Sequence, residues 1–176
     1  MVITDLSRYI RSVPDFPKKG IVFKDITTLL QDKDALKQAL SELLEFAKGL
    51  KIDKVVGVES RGFVFGGLLA EKLDAGFVPI RKPGKLPGDT VKETYVLEYG
   101  VDSIEIHADA IKKGDKILMH DDLLATGGTM EAACKLVEKL GGEIVQISFL
   151  VELSFLSGRE KLKKYDIRSL ISYDSE

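Results

Sequence analysis

Apolar residues recur along the chain at two spacings that take turns. From Asp34 to Lys48, Leu36, Leu40, Leu43, Leu44 and Ala47 fall three or four apart. This predicts an amphipathic helix with Asp32 or Asp34 at its start and Gly49 at its end. Lys54-Val55-Val56-Gly57-Val58 is instead a short continuous apolar run, which predicts a buried strand. A helix is predicted over Phe63 to Leu73, where Gly66-Gly67 would favour close packing against a strand. Gly76 to Ile80 predicts the next strand, its proline best tolerated near an end or edge. Ile117-Leu118-Met119 as strand, Met130 to Leu140 as helix, and Glu143 to Val151 and Ile167 to Ile171 as strands continue the alternation. Three weaker segments flank it: Ile3 to Ser12 as a short helix, Ile21 to Asp25 as an apolar loop or edge strand, and Leu156 to Leu162 as a short exposed helix. Helix and strand in turn predict an α/β fold, a single doubly wound and mainly parallel sheet of about five strands flanked by helices.

Two stretches break the pattern. Pro14 to Gly20 interrupts regular structure with two prolines and a glycine. Arg81-Lys82-Pro83-Gly84-Lys85-Leu86-Pro87-Gly88 is basic and turn-rich, and it precedes two β-like runs, Thr94 to Tyr99 and Ser103 to His107. A hairpin inserted after a loop that cannot pack itself reads either as a mobile cover or as a solvated surface hairpin. Composition narrows the function classes. The 176 residues suit one domain, and a net charge of −2 without a long basic run argues against a nucleic-acid partner. No apolar run approaches a membrane span, and Met1 to Asp5 lacks the features of a signal peptide, so the expected compartment is the cytoplasm. The single Cys134 is expected in the core.

The chemistry concentrates between Lys116 and Thr129. A strand is followed by Asp121-Asp122, then by the small, glycine-rich Ala125-Thr126-Gly127-Gly128-Thr129, and then by a helix start. Glycines let the backbone approach a ligand, unpaired amides point outward, and the helix dipole favours an anion. Carboxylates beside such a cradle serve either to accept hydrogen bonds from sugar hydroxyls or to hold a divalent cation. Both readings point to a phosphorylated sugar. The switch-point rule places Glu59-Ser60-Arg61-Gly62 at the same end of the sheet. Phe23 reads either as core or as one wall of an aromatic-binding slot. His120 reads either as a metal ligand or proton carrier, or as a satisfied strand-end histidine.

These segments resemble the adenine phosphoribosyltransferases, type I phosphoribosyltransferases, along nearly the whole chain. The carrying residues are Pro14-Asp15-Phe16-Pro17, Gly20 to Ile26, Glu59 to Phe63, Arg81 to Gly88, Leu97-Glu98-Tyr99-Gly100 and Asp121 to Thr129. The last block is shared with many relatives; the others are specific to the subfamily. The resemblance implies transfer of a 5-phosphoribosyl group from phosphoribosyl pyrophosphate to adenine, with Mg2+ on the diphosphate. It implies that Asp121 and Asp122 contact the ribose hydroxyls and that Ala125, Thr126, Gly127, Gly128 and Thr129 hold the 5′-phosphate. Glu59, Ser60, Arg61 and Gly62 resemble a pyrophosphate loop that carries a non-proline cis peptide. Arg81, Lys82 and Lys85 resemble a basic segment reaching pyrophosphate across a homodimer interface, a reading helped by the expectation that the chain has few carboxylates of its own to pair with them. Val22, Phe23 and Lys24 resemble the adenine slot, and Glu98, beside Tyr99 on the lid, resembles a group acting at N7 of the base; Glu98 and Arg61 are the catalytic candidates. The organisation implied is one domain over 1–176, with a base-binding hood at 1–33 and a basic loop and lid hairpin at 81–107. Two rivals stand beside it: an enzyme for hypoxanthine, guanine or xanthine, and a phosphoribosyl-pyrophosphate-sensing regulator that binds nucleic acid.

Overall fold

The apolar triplet at Ile117 is the core of a much longer strand, β7, running Lys116–Leu124, and the sheet is built around it. The computed structural model describes residues 5–96 and 100–175. In chain order a single 3-10 turn, Leu6–Tyr9, leads into β1 (Arg11–Pro14), β2 (Val22–Asp25), α1 (Thr27–Gln31), α2 (Lys33–Phe46), β3 (Lys54–Val58), α3 (Gly62–Lys72) and β4 (Gly76–Ile80). Then come β5 (Thr90–Val96), β6 (Val101–His107), β7, α4 (Gly128–Lys139), β8 (Glu143–Leu153), a second 3-10 turn, α5 (Arg159–Leu162) and β9 (Ile167–Tyr173). The described part of the expected first helix is thus a 3-10 turn running straight into a strand. Ser12 and Val13 pair with Lys24 and Phe23 of β2, and that pairing outweighs local helical spacing.

The main sheet has five parallel strands in the order β4-β3-β7-β8-β9. Pro79 lies in β4, an edge strand, where its missing N–H costs no ladder bond on the outer side. Successive strand residues face opposite layers. Val56, Met119 and Ile147 pack with Met130, Leu136 and Val137 of α4, while Val55, Leu118 and Leu150 pack with Leu43 of α2 and Phe65 and Leu69 of α3. Helix α2 is capped by Asp32, whose carboxylate accepts from the amides of Asp34 and Ala35. Of the two adjacent α3 glycines, only Gly66 is needed for close packing: a Cβ there would stand 2.8 Å from the Phe77 ring, whereas Gly67 has open space.

The inserted hairpin differs from expectation. Its strands start at Thr90, and Tyr95, Ile104 and Ile106 are buried in the layer that holds α4. A bridge between Arg81 and Glu105 ties it to the end of β4. The described stem is therefore part of the core. Leu97, Glu98 and Tyr99 lie outside the described residues.

Candidate active site

Strand order reverses between β3 and β7, from which the chain winds outward in opposite directions, and ligands bind α/β sheets beyond the strand ends at such a point. A cavity of about 280 Å³ opens there. Glu59, Ser60 and Arg61 form one wall, Asp121 and Asp122 a second, and Lys82 and Thr129 close it. A smaller cavity of about 90 Å³ continues from Asp121 and Thr129 along Ala125, Thr126, Gly127 and Gly128. The two acids lie inside β7 rather than at its end, because β8 pairs with β7 as far as Leu124. Pairing with β3, however, stops at His120, so the acids project beyond the neighbour on the cavity side.

The Glu59–Ser60 peptide bond is cis. It lies between β3 and α3, and the first residue of α3, Gly62, packs against Asp121: a Cβ on Gly62 would stand 2.8 Å from Asp121 Oδ1. Arg61 forms an ion pair with Asp122 at 2.8 Å. The two acids differ in electrostatics. Burial and the adjacent Asp122 carboxylate push the Asp121 carboxyl well above the usual range. Burial also raises Asp122, but the Arg61 guanidinium opposes it. Asp121 has no ion-pair partner among the described residues. Its Oδ1 accepts only from the Asp122 amide (2.9 Å) among the described hydrogen bonds.

Before α4 the backbone turns through Gly127 at φ +79°, a conformation that suits glycine. The first turn of α4 leaves backbone N–H groups without intrahelical partners. Behind it stands Gly158: its carbonyl lies 2.5 Å from where a Cβ on Gly127 would be, and a Cβ on Gly158 would collide with the Ala125 carbonyl. Nothing in the local pattern of Leu156 to Leu162 signals this contact, which depends on long-range packing.

The three basic residues are all paired within the chain, against the expectation that it has few carboxylates of its own to satisfy them. Arg81 Nε binds Glu59 at 2.6 Å, Lys85 binds the other Glu59 oxygen at 2.9 Å, and Lys82 binds Asp102. Burial pushes Glu59 upward, yet hydrogen bonds from Lys85 and Arg81 outweigh it and hold the carboxyl below its usual range. Arg81 and Lys85 thus border the cavity through Glu59, while Lys82 faces into it. Tyr95 and Asp102 also line the cavity and were not among the sequence candidates. Thr129 Oγ1 donates to Tyr95 OH (3.2 Å), which donates to Asp102 Oδ2 (3.2 Å), joining the glycine turn to Lys82. The signal was available: Tyr95 pairs directly with Asp102, so period-two alternation puts both on one face with Ile104.

The hood residues approach from the side. The Phe23 ring lies 4.8 Å from the Arg61 guanidinium carbon and packs edge-on against Phe16. Val22 lies on β2, which among the described residues pairs with β1 alone. The Lys24 side chain points the other way, donating to Ser12 Oγ at 3.2 Å and standing over the Tyr173 ring. Any reading of a ligand by Lys24 therefore runs through its backbone. His120 is fully buried with Nδ1 on Ser148 Oγ (2.9 Å) and Nε2 without a partner. Burial lowers its pKa to about 3, so it is neutral and faces α3 rather than the cavity.

The phosphoribosyl transferase domain model matches residues 24–175. An adenine phosphoribosyltransferase of Christiangramia forsetii is 63% identical over 169 residues, covering 96% of this chain and 99% of that protein. The chain belongs to the adenine phosphoribosyltransferase family. The crystal structure of the Thermoanaerobacter pseudethanolicus adenine phosphoribosyltransferase superposes with a TM-score of 0.93 at 54% identity, covering 96% of this chain and 98% of that one. The Saccharomyces cerevisiae enzyme, solved with D-2,5-dideoxy-2,5-imino-altritol 1,6-bisphosphate and adenine, gives 0.88 at 41% identity over 94% and 96%. Among the described residues no helix is long and apolar enough to cross a membrane.

Proposed function

We propose that this protein transfers the 5-phosphoribosyl group of phosphoribosyl pyrophosphate to adenine, releasing AMP and pyrophosphate. The observation that supports the reading is that the turn at Glu59–Ser60, the Asp121–Asp122 pair and the glycine turn before α4 line two adjoining cavities that share Asp121, Leu123 and Thr129. The glycine turn takes the 5′-phosphate on backbone amides at the start of α4. Asp121 and Asp122 accept hydrogen bonds from the ribose 2′- and 3′-hydroxyls. That places C1′ toward Arg61 and Lys82. As pyrophosphate leaves, C1′ gains positive character and the departing group gains charge, which Arg61, Ser60 and Lys82 stabilise from fixed positions. Phe23 stacks on the adenine ring, and the unpaired edge of β2 at Val22 to Lys24 offers backbone groups to the 6-amino edge. Glu98, outside the described residues, takes the role that the family resemblance gives it, offering a hydrogen bond or proton to N7.

The residues fit a divalent cation on the diphosphate. Asp121 is held high by burial and by its neighbour and has no described cationic partner, and Mg2+ is usually bound through one or two carboxylates plus substrate phosphates. Mg2+ would supply charge neutralisation of the leaving group, with Asp121 or Asp122 reaching it through water. A homodimer belongs to the same reading, with Arg81 exchanging its Glu59 contact for the neighbour's ligand. Sedimentation at micromolar concentration giving only the 19.4 kDa monomer would overturn that part. Incubation of the protein with adenine, phosphoribosyl pyrophosphate and Mg2+ should yield AMP and pyrophosphate in equal amounts. Pyrophosphate release without AMP, or no release, contradicts the proposal.

A further inference from the structure

The glycine turn lacks a charge to match its ligand. A phosphate monoester carries about −1.5 to −2 at neutral pH, whereas a helix N-terminus offers roughly half a positive charge. Among the described residues no cationic side chain lines the smaller cavity, and its one ionisable lining residue is the acid Asp121. Lys161 stands just outside it. Its Nζ lies 3.8 Å from the position a Cβ on Gly128 would take, a position also 3.6 Å from the Tyr95 ring and 4.0 Å from the Val96 carbonyl.

We infer that Lys161 is a phosphate-binding residue, the cation that completes the 5′-phosphate site; this rests on the phosphoribosyl-transfer reading above. Three observations support it. Arg61, Arg81, Lys82 and Lys85 are each held by a carboxylate, whereas Lys161 has no hydrogen-bond or ion-pair partner among the described residues. Its short helix is fixed in place at both ends: Gly158 locks against Ala125, and Leu162 is buried in the core with α4. Arg159 further binds both oxygens of buried Glu152, at 2.6 and 2.7 Å, and reaches the Ile167 carbonyl at 3.1 Å. The backbone that carries Lys161 is thereby held against the glycine turn, so the lysine stem only has to swing its ammonium over Gly128. A compact ammonium on a flexible stem suits a phosphate approached from the solvent side.

The test compares Lys161→Met and Lys161→Arg with wild type by calorimetry with AMP and by steady-state kinetics. Lys161→Met should weaken AMP binding and raise KM for phosphoribosyl pyrophosphate about five- to ten-fold, while kcat at saturation and KM for adenine stay within about two-fold. Lys161→Arg should keep most of the affinity, and added salt should narrow the gap between wild type and Lys161→Met. The thermal midpoint should not move, since no described contact is lost. AMP affinity unchanged in Lys161→Met, or a loss confined to kcat, overturns the inference. A wild-type protein that binds no AMP overturns the phosphoribosyl-transfer reading itself and this inference with it.

Discussion

Asp121 and Asp122 are adjacent in sequence and unlike in surroundings. Asp122 has a guanidinium at 2.8 Å; Asp121 has an amide and a glycine. Asp121 is therefore the acid whose charge is most costly before a ligand arrives and most improved by one. The double change Asp121→Asn, Asp122→Asn should weaken phosphoribosyl pyrophosphate binding at least about ten-fold, because two acceptors for hydroxyl donors become amides. Stability should hold, since relief of repulsion between the acids offsets the lost Arg61 pair. Calorimetry with unchanged affinity would make the pair scaffolding. Glu98 acts later. Its replacement by Leu should lower kcat by roughly 10²-fold with little change in phosphoribosyl pyrophosphate affinity, and Glu98→Gln should retain more, because an amide can still donate to N7. Single-turnover chemistry at the wild-type rate in Glu98→Leu would remove the residue from the bond-making step.

Among the elements, the turn before α5 couples the C-terminal segment to the glycine turn. Gly158→Ala would push a Cβ into the Ala125 carbonyl, and backbone cannot yield as a side-chain tip can. A loss of about 1–3 kcal/mol is expected from overpacking, together with a raised KM for phosphoribosyl pyrophosphate. Denaturant titration and kinetics both at wild-type values would contradict the coupling. The same contact shows what the chain's pattern could and could not disclose. Strands Lys54–Val58 and Gly76–Ile80 were legible to the residue, because buried parallel strands are short, continuous apolar runs bounded by polar residues. The glycine turn and the acids were legible because their residue types are unusual together. The length of β7 beyond the acids, the strand at Arg11–Pro14 and the seat of α5 were not, since each is decided by a partner distant in sequence. The hairpin was legible as two β-like runs but not as core: the alternation that carries Tyr95, Ile104 and Ile106 marks one face for burial without saying that α4 covers it.

For the molecule as a whole, the sheet buries a histidine at its centre. His120 has an ordinary value of 6.5 and is lowered to about 3 by burial. Below about pH 6.5 the unfolded chain binds a proton there that the folded chain refuses, so stability falls with pH down to about 3. The slope is about 1.4 kcal/mol per pH unit while only the unfolded state is protonated. Asp25, held down at about 2 by hydrogen bonds from Arg11 and Thr27, adds to this at lower pH, its contribution lost as pH falls from about 3.8 through about 2. His120→Val should therefore gain on wild type by roughly 3 kcal/mol between pH 7 and pH 4. Parallel stability curves over that interval would show that the ring is not held neutral.

The central claim is that the cavity at the β3–β7 switch point and the hood at Val22 to Lys24 together select adenine as the acceptor of the phosphoribosyl group. A 6-oxo purine presented to an edge arranged for a 6-amino group leaves buried polar groups unpaired, a mismatch that discriminates by roughly 10⁴–10⁵ in sites of this kind. The most direct measurement is kcat/KM for adenine against hypoxanthine and guanine, at fixed phosphoribosyl pyrophosphate and Mg2+. Adenine should exceed both by at least about a thousand-fold. Comparable values for any 6-oxo purine would contradict the account.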